Sequence, residues 1–437
     1  MFRRQARNNA EVIQRSRPDV LLINEFDFDP AAVDLFRDNF LEVSQNGARP
    51  IHYPYAYVAP SNTGIPSGMD FSGDGTVGGP NDAYGFGFFP GQFGMVVYSK
   101  YPILHDRVRT FQLFRWKDMP GALLPDDPRT SAPADWYSPD ELNVFRLSSK
   151  SHWDIPIAIR GKTVHFLVSH PTPPVFDDPP AFPAGVDFNG RRNHDEIRLW
   201  ADYISAGSRA RYIYDDNGKR GVLKPGERFV IAGDQNSDPL DGDSIPGAIQ
   251  QLIEHPLVNT KVTPDSEGGP EAAMLQGGAN RTHRSDPRFD TADFADTAPG
   301  NLRADYVLPR KNMKILDSAV FWPVQSDPLF RLTGVSYPLR SIRGWRSEAS
   351  RPRITGSSGS TSRPSGTATP TIDPGSRSGS GLAAAPALGA SRARSRVGRP
   401  RRRRRLRVRP RRGCRSVRSE RRCRCRSSGR RARFRSR

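Results

Sequence analysis

The stretch Phe229-Val230-Ile231-Ala232-Gly233-Asp234-Gln235-Asn236 decides the fold. A short apolar run ends in a glycine turn, then presents a carboxylate and a carboxamide two residues apart. On an extended chain, residues i and i+2 point the same way. Asp234 and Asn236 can therefore aim into one site at the mouth of a sheet, one as a charged oxygen and the other as a neutral donor or acceptor. An ordinary Asp/Asn turn after a strand is the plainer reading of the same residues. Three other places add weight. Pro18-Asp19-Val20-Leu21-Leu22-Ile23-Asn24-Glu25 is a β-rich run ending in a carboxylate, Val164-His165-Phe166-Leu167-Val168-Ser169-His170-Pro171 is a strand ending in a histidine, and Arg303-Ala304-Asp305-Tyr306-Val307-Leu308 places a carboxylate at a strand start.

These four segments, in this order, resemble the endonuclease/exonuclease/phosphatase superfamily, the DNase I-like metal-dependent phosphoesterases, over about residues 5 to 334. Gly94-Met95-Val96-Val97-Tyr98-Ser99-Lys100-Tyr101-Pro102-Ile103 is similar to an internal strand of that family. The resemblance implies an α/β fold, a sandwich of two packed mixed β-sheets flanked by helices. It implies a Mg²⁺- or Mn²⁺-dependent phosphoric ester hydrolase of nuclease or phosphatase type. Carried over residue by residue, Glu25 is the metal carboxylate and His170 contacts the scissile phosphate. Asp234 and Asn236 orient the attacking water and the phosphate, and Asp305 orients a partner histidine near the chain's end. The implied substrate is a phosphate ester: nucleic acid, a phospholipid head group or a small molecule.

The sequence also departs from the family. Asn24 stands where the family usually has Gln. The chain passes from Met1-Phe2-Arg3-Arg4 straight into a helical pattern, so the family's first strand, with its Asn, is expected to be missing. The closing Ser-Asp-His strand is not found either: the last histidine is His283, upstream of Asp305. These readings lead to the expectation of a sandwich incomplete at both ends and an impaired enzyme.

Where the closing strand is due, the composition changes. Residues 335–437 hold 31 arginines, no lysine and three acids (Glu348, Asp373, Glu420), a formal charge of +28. Residues 1–334 hold 35 basic and 43 acidic residues, −8. The formal +20 of the whole chain therefore averages an acidic domain and a basic tail. The tail, with too little apolar surface to bury, is expected to be disordered. Two readings of it stand. An Arg run such as 401–405 suits nonspecific binding of nucleic acid or another anionic polymer, with the domain as a noncatalytic scaffold. Alternatively the tail is the product of a shifted reading frame in GC-rich DNA.

A globular part of about 330 residues is ample for a sizeable core. All three cysteines (Cys414, Cys423, Cys425) lie in the tail, so the globular part uses neither disulfides nor thiolate ligands. No apolar run is long enough for a transmembrane helix, and no apolar signal region opens the chain. Intact relatives of this look are often exported, so the compartment stays open. The pattern predicts helices near 5–16, 30–40 and 191–204. Strands are expected near 19–24, 54–59, 93–98, 155–160, 163–169, 228–232, 305–309 and 315–321, with a hairpin turn at Arg160-Gly161-Lys162.

Phosphate-ester hydrolysis needs a cation on the phosphoryl oxygens, an aimed water and a proton source for the leaving oxygen. Mg²⁺ suits the first need because it works with few protein carboxylates and keeps its waters. His170 could donate to a phosphate oxygen as the imidazolium. Plainer readings exist for each residue: a solvated strand end for Glu25, a turn histidine for His170, a strand cap for Asp305. Arg191 and Arg192 open a helix, either as a solvated start or as a phosphate contact. Finally, Asp70-Phe71-Ser72-Gly73-Asp74-Gly75 has the spacing of a calcium loop, with oxygens at positions 1, 3 and 5 and Gly at 6. Asn81 falls at position 12 and Asp82 one step later, so Ca²⁺ binding through Asp70, Ser72, Asp74 and Asp82 stands beside a plain Gly/Asp turn.

Overall fold

Alternation along the apolar runs becomes two-sided burial in the computed structural model of the chain, which describes residues 2–177, 186–205, 207 and 210–333. The order is α1 (Phe2–Ser16), β1 (Val20–Asn24), α2 (Pro30–Phe36), β2 (Tyr55–Tyr57), β3 (Met95–Ser99), β4 (Arg109–Thr110), α3 (Pro139–Val144), β5 (His152–Ile159), β6 (Lys162–Ser169), α4 (Phe188–Ser205), β7 (Arg228–Asp234), α5 (Gln250–Ile253), α6 (Gly268–Gln276), β8 (Ala292–Asp293), β9 (Asn301–Leu302) and β10 (Asp305–Pro309).

Two packed sheets result, the smaller antiparallel and the larger mixed. One sheet has the order β1-β3-β2, the other β10-β7-β6-β5-β4. In the second, β6 and β7 run parallel while β10 returns antiparallel to β7. Successive residues face opposite sides of a strand, and the cores follow that rule. Val20 and Leu22 join Met95, Ile155, Phe166, Val168, Val230 and Ala232 between the sheets. Leu21 and Ile23 point the other way, against Ala10 and Ile13 of α1 and Val33 of α2. Leu167, Phe229 and Ile231 likewise turn outward onto Ile197, Trp200 and Ile204 of α4. Because both faces of the central strands are covered, they read as continuous apolar runs.

The α/β sandwich with outer helices agrees with the expectation. The hairpin between β5 and β6 is as read: Arg160 (φ 49°) and Gly161 (φ 75°) both take the left-handed backbone that a two-residue primed turn demands. Two local expectations differ. Residues 30–40 form α2 and then a wider turn at Arg37–Leu41. Segment 315–321 is not a strand; it has no ladder partner, and Val320 gives its N–H to the Asp265 carbonyl instead. Among the described residues β1 pairs only with β3 and β10 only with β7, so both are edge strands. No helix among the described residues is long and apolar enough to cross a membrane. The basic tail lies outside the described residues.

One buried charge ties the front of the chain to residue 331. Glu11 of α1 is fully buried and accepts from Arg15, Asn46 and both terminal nitrogens of Arg331 at 2.6–2.9 Å. Burial raises its pKa, but these donors outweigh it and bring the value from the ordinary 4.5 down to about 2. A depressed carboxylate stabilises the fold above its unfolded pKa and loses that contribution as pH falls through its folded one. The melting-temperature gap between the wild type and Arg331→Ala should therefore be full above about pH 4.5 and shrink towards pH 2. A gap unchanged over that range would refute this linkage.

Candidate active site

The sheet topology brings the predicted residues to one end of the sandwich. Parallel β6 and β7 both finish there, so His170, one residue past β6, lies beside Asp234, the last residue of β7. Antiparallel β10 begins there, and its first residue, Asp305, is the register partner of Asp234. Glu25, one residue past β1, comes close enough for its charge to act on both Asp234 and Asp305. Asn236 completes the group: its backbone N–H donates to Asp234 Oδ1 at 2.8 Å and its Nδ2 to the Pro171 carbonyl at 3.0 Å. Five of the five carried-over residues are thus assembled, from segments more than 200 residues apart.

Backbone strain coincides with the site. Glu25 (φ 57°) and Asn236 (φ 50°) are both non-glycine residues in the left-handed region. Such conformations cost about 1–3 kcal/mol and persist where the surroundings enforce them.

The electrostatics are those of crowded, buried carboxylates. Burial pushes the Asp234 carboxyl up to about 7; Glu25 adds to the rise, while the Asn236 N–H and Lys150 oppose it. Asp305 is pushed well above the usual carboxylate range by burial, then by Asp234 and Glu25. The Thr291 side chain opposes the rise; its Oγ1 accepts the Asp305 backbone N–H at 2.9 Å, while neither carboxyl oxygen has a partner at hydrogen-bond distance. His283 does not fill the role of its partner histidine, since its Nε2 meets the Pro299 carbonyl at 2.7 Å. His170 Nε2 lies 3.7 Å from Asp234 Oδ2, too long for a hydrogen bond, and its Nδ1 has no partner. Burial, with the charge of Lys150, lowers the His170 pKa well below that of ordinary imidazole. Burial thus disfavours the imidazolium expected from the sequence; the neutral ring still donates from one nitrogen.

A hard divalent cation would fit this donor set. Glu25 could supply an oxygen ligand, the neighbouring Asn24 Oδ1 is buried and unpartnered, and the mutual repulsion of three carboxylates favours positive charge between them. Among the described residues no group of three or more His, Cys, Asp or Glu side chains is arranged to hold a metal. Mg²⁺ needs no such cage, as it retains most of its waters.

Three residues of the site escaped the sequence reading. Lys150, on the loop before β5, is 6% exposed and gives Nζ to the Pro171 carbonyl at 3.3 Å, the oxygen that Asn236 also holds. Asn193 on α4 donates Nδ2 to the carbonyls of Thr172 (2.8 Å) and Gln235 (2.9 Å). Glu196, one turn on, accepts the N–H groups of Ser149 and Thr172, each at 2.6 Å. One helix face therefore fixes the loops bearing Lys150, His170 and Asp234. The available signal was the i, i+3 pair of polar residues in Asn193-His194-Asp195-Glu196, which helical periodicity alone assigns to solvent.

Two other expectations resolve differently. Arg192 is neither a solvated helix start nor a phosphate contact. Its guanidinium is buried on the carbonyls of Tyr84, Arg146 and Leu147 and lies over the Phe145 ring. The loop 70–82 caps itself: Asp70 accepts Ser72 Oγ and the N–H groups of Asp74 and Gly75, Asp74 that of Thr76, and Asp82 those of Ser72 and Gly78. These bonds are those of Gly/Asp turns, and among the described residues no group of three or more His, Cys, Asp or Glu side chains is placed to hold a metal.

No curated protein matches the chain. Among solved structures, an endonuclease/exonuclease/phosphatase from Beutenbergia cavernae is 16% identical with a TM-score of 0.37; the match covers 70% of this chain and 58% of that protein's length. A family protein from Leptotrichia buccalis is 14% identical with a TM-score of 0.35, covering 71% of this chain and 82% of the other. A mutant beta toxin from Staphylococcus aureus with bound magnesium ions is 15% identical with a TM-score of 0.33, covering 72% and 79%. The sequence itself matches the Endonuclease/Exonuclease/phosphatase family over residues 2–327, most of the chain, and the protein belongs to that family.

Proposed function

We propose that this chain is a Mg²⁺- or Mn²⁺-dependent phosphoric ester hydrolase. The observation that carries this reading is the register pairing of Asp305 with Asp234 beside His170, with the charge of Glu25 acting on both carboxylates. In this reading Glu25 holds the cation, with Asn24 Oδ1 beside it. The cation supplies charge neutralisation on the phosphoryl oxygens when bound. Asp234, fixed by the Asn236 N–H, accepts a proton from the attacking water. Asn236 keeps a second Nδ2 hydrogen for the phosphate, and neutral His170 donates to a phosphoryl oxygen.

Among substrate classes, the rim favours a phospholipid head group. The loop 85–94 runs between the segment after Glu25 and the segment bearing Lys150: Phe26 and Phe28 give their N–H groups to Gly94 and Gly91, while Gly85 sits against the Ser149 backbone. That loop exposes Phe86, Phe88 and Phe89, with Phe86 and Phe88 in edge-to-face contact. Apolar rings beside a phosphate-ester site suit an amphiphile better than a duplex. The acidic balance of residues 1–334 points the same way, since nucleic-acid affinity depends on phosphate neutralisation.

The test is a panel of phospholipid vesicles, DNA, RNA and small phosphate esters, assayed with Mg²⁺ or Mn²⁺ and with EDTA. Hydrolysis should require the metal and be strongest on phospholipid. Turnover that survives EDTA would remove the metal-dependent reading. Preference for nucleic acid would remove the amphiphile and leave the hydrolase.

A further inference from the structure

We infer that Lys150 is a phosphate-binding residue of this site, presenting its ammonium to a phosphoryl oxygen between Asn236 and the carboxylates. The inference rests on the hydrolase reading and deepens it.

Lys150 sits in a run of polar residues, Ser148-Ser149-Lys150-Ser151, yet it is as deeply buried as His170 and Asp234. Burying a lysine is costly unless charge and hydrogen bonds compensate. Compensation here is partial. Of three ammonium hydrogens, one finds a protein acceptor, the Pro171 carbonyl at 3.3 Å, a long contact. Burial lowers the Lys150 pKa and Arg192 adds to the fall, while the charges of Glu196, Glu25 and Asp234 oppose it. Glu196 is already engaged by the N–H groups of Ser149 and Thr172. The ammonium is thus held in place by the loop rather than consumed by a salt bridge.

Its position explains the arrangement. The Pro171 carbonyl receives both Lys150 Nζ and Asn236 Nδ2, so the two nitrogens flank one oxygen immediately after His170. Their remaining hydrogens and the His170 ring are donors near Asp234 and Glu25, whose charges act on Lys150. A tetrahedral dianion offers several acceptors to such a set, and an ammonium contributes as a compact point charge. Arg192 shows the other pattern, with three of its five N–H donors on the carbonyls of Tyr84, Arg146 and Leu147.

The experiment titrates inorganic phosphate into the full chain by calorimetry, with Mg²⁺ present, for the wild type, Lys150→Met, Lys150→Gln and Lys150→Arg. Thermal melts of each variant run in parallel. Loss of a charge-assisted contact should weaken phosphate binding about 10- to 100-fold in the methionine and glutamine variants. Arginine, which keeps the charge, should recover most of it. If Lys150→Met does not fold, Lys150→Gln decides in the same way. Phosphate affinity unchanged in either folded uncharged variant would overturn the inference, as would a wild type that binds no phosphate. No turnover is needed for these isotherms. A failure of the hydrolase reading would appear separately, as an inert wild type across the substrate panel.

Discussion

Asp234→Asn should cut kcat by about 10²–10⁴-fold, the range a positioned acid–base group contributes, while the protein stays folded. The side chain is 5% exposed, and its Oδ1 takes the Asn236 N–H at 2.8 Å. An asparagine carbonyl can keep that bond, so the turn at 234–236 survives. What it cannot do is accept a proton from water. The substitution also removes one of three mutually repelling carboxylates, since Glu25 raises Asp234 and Asp234 raises Asp305. The melting temperature should accordingly hold or rise as kcat collapses. A variant that melts lower yet hydrolyses at the wild-type rate would show that Asp234 is a structural carboxylate.

The second large effect is on stability. Gly233 has φ 150°, and a Cβ built there would lie 2.0 Å from the Ser169 carbonyl oxygen and 3.0 Å from Gln235 Nε2. The first contact is with backbone at the end of β6, one residue past the parallel ladder in which Val168 pairs with Ala232. No rotamer change relieves it. Gly233→Ala must separate β6 from β7 where His170 and Asp234 emerge, so about 3 kcal/mol or more of stability should be lost. Any activity should fall with it, because the loops bearing His170 and Asp234 no longer share a register. Denaturant unfolding of wild type and variant measures the cost; a loss under about 0.5 kcal/mol, the level of an ordinary surface change, would mean the strands part without penalty.

These two adjacent residues also mark how far the sequence could be read. The site positions at 25, 170, 234, 236 and 305 were legible because each stands at a strand end, where an apolar run stops and a polar residue begins. Such boundaries are local, and alternation fixed the faces of β1, β6 and β7. Lys150, Asn193 and Glu196 were not legible. Their burial is decided by tertiary contacts, loop against helix, and a polar residue on an amphipathic helix reads as solvent-facing until its neighbours are known. Arg192 was misread for the same reason: three carbonyls from residues 84, 146 and 147 capture it, and nothing near 192 in sequence announces them. The spacing at 70–75 is legible in another way: it specifies which oxygens are close, and the loop's own N–H groups are on them. Segment 315–321 has the composition of a strand, and composition cannot supply a partner.

The helix that holds three loops has a consequence for how such a protein changes over time. Asn193 and Glu196 reference the Lys150, His170 and Asp234 segments to a single rigid element through backbone atoms, not side chains. Backbone carbonyls and amides are the same whatever residue bears them. The side chains of Ser149, Thr172 and Gln235 can therefore change without loosening that hold, provided α4 keeps two polar positions three residues apart.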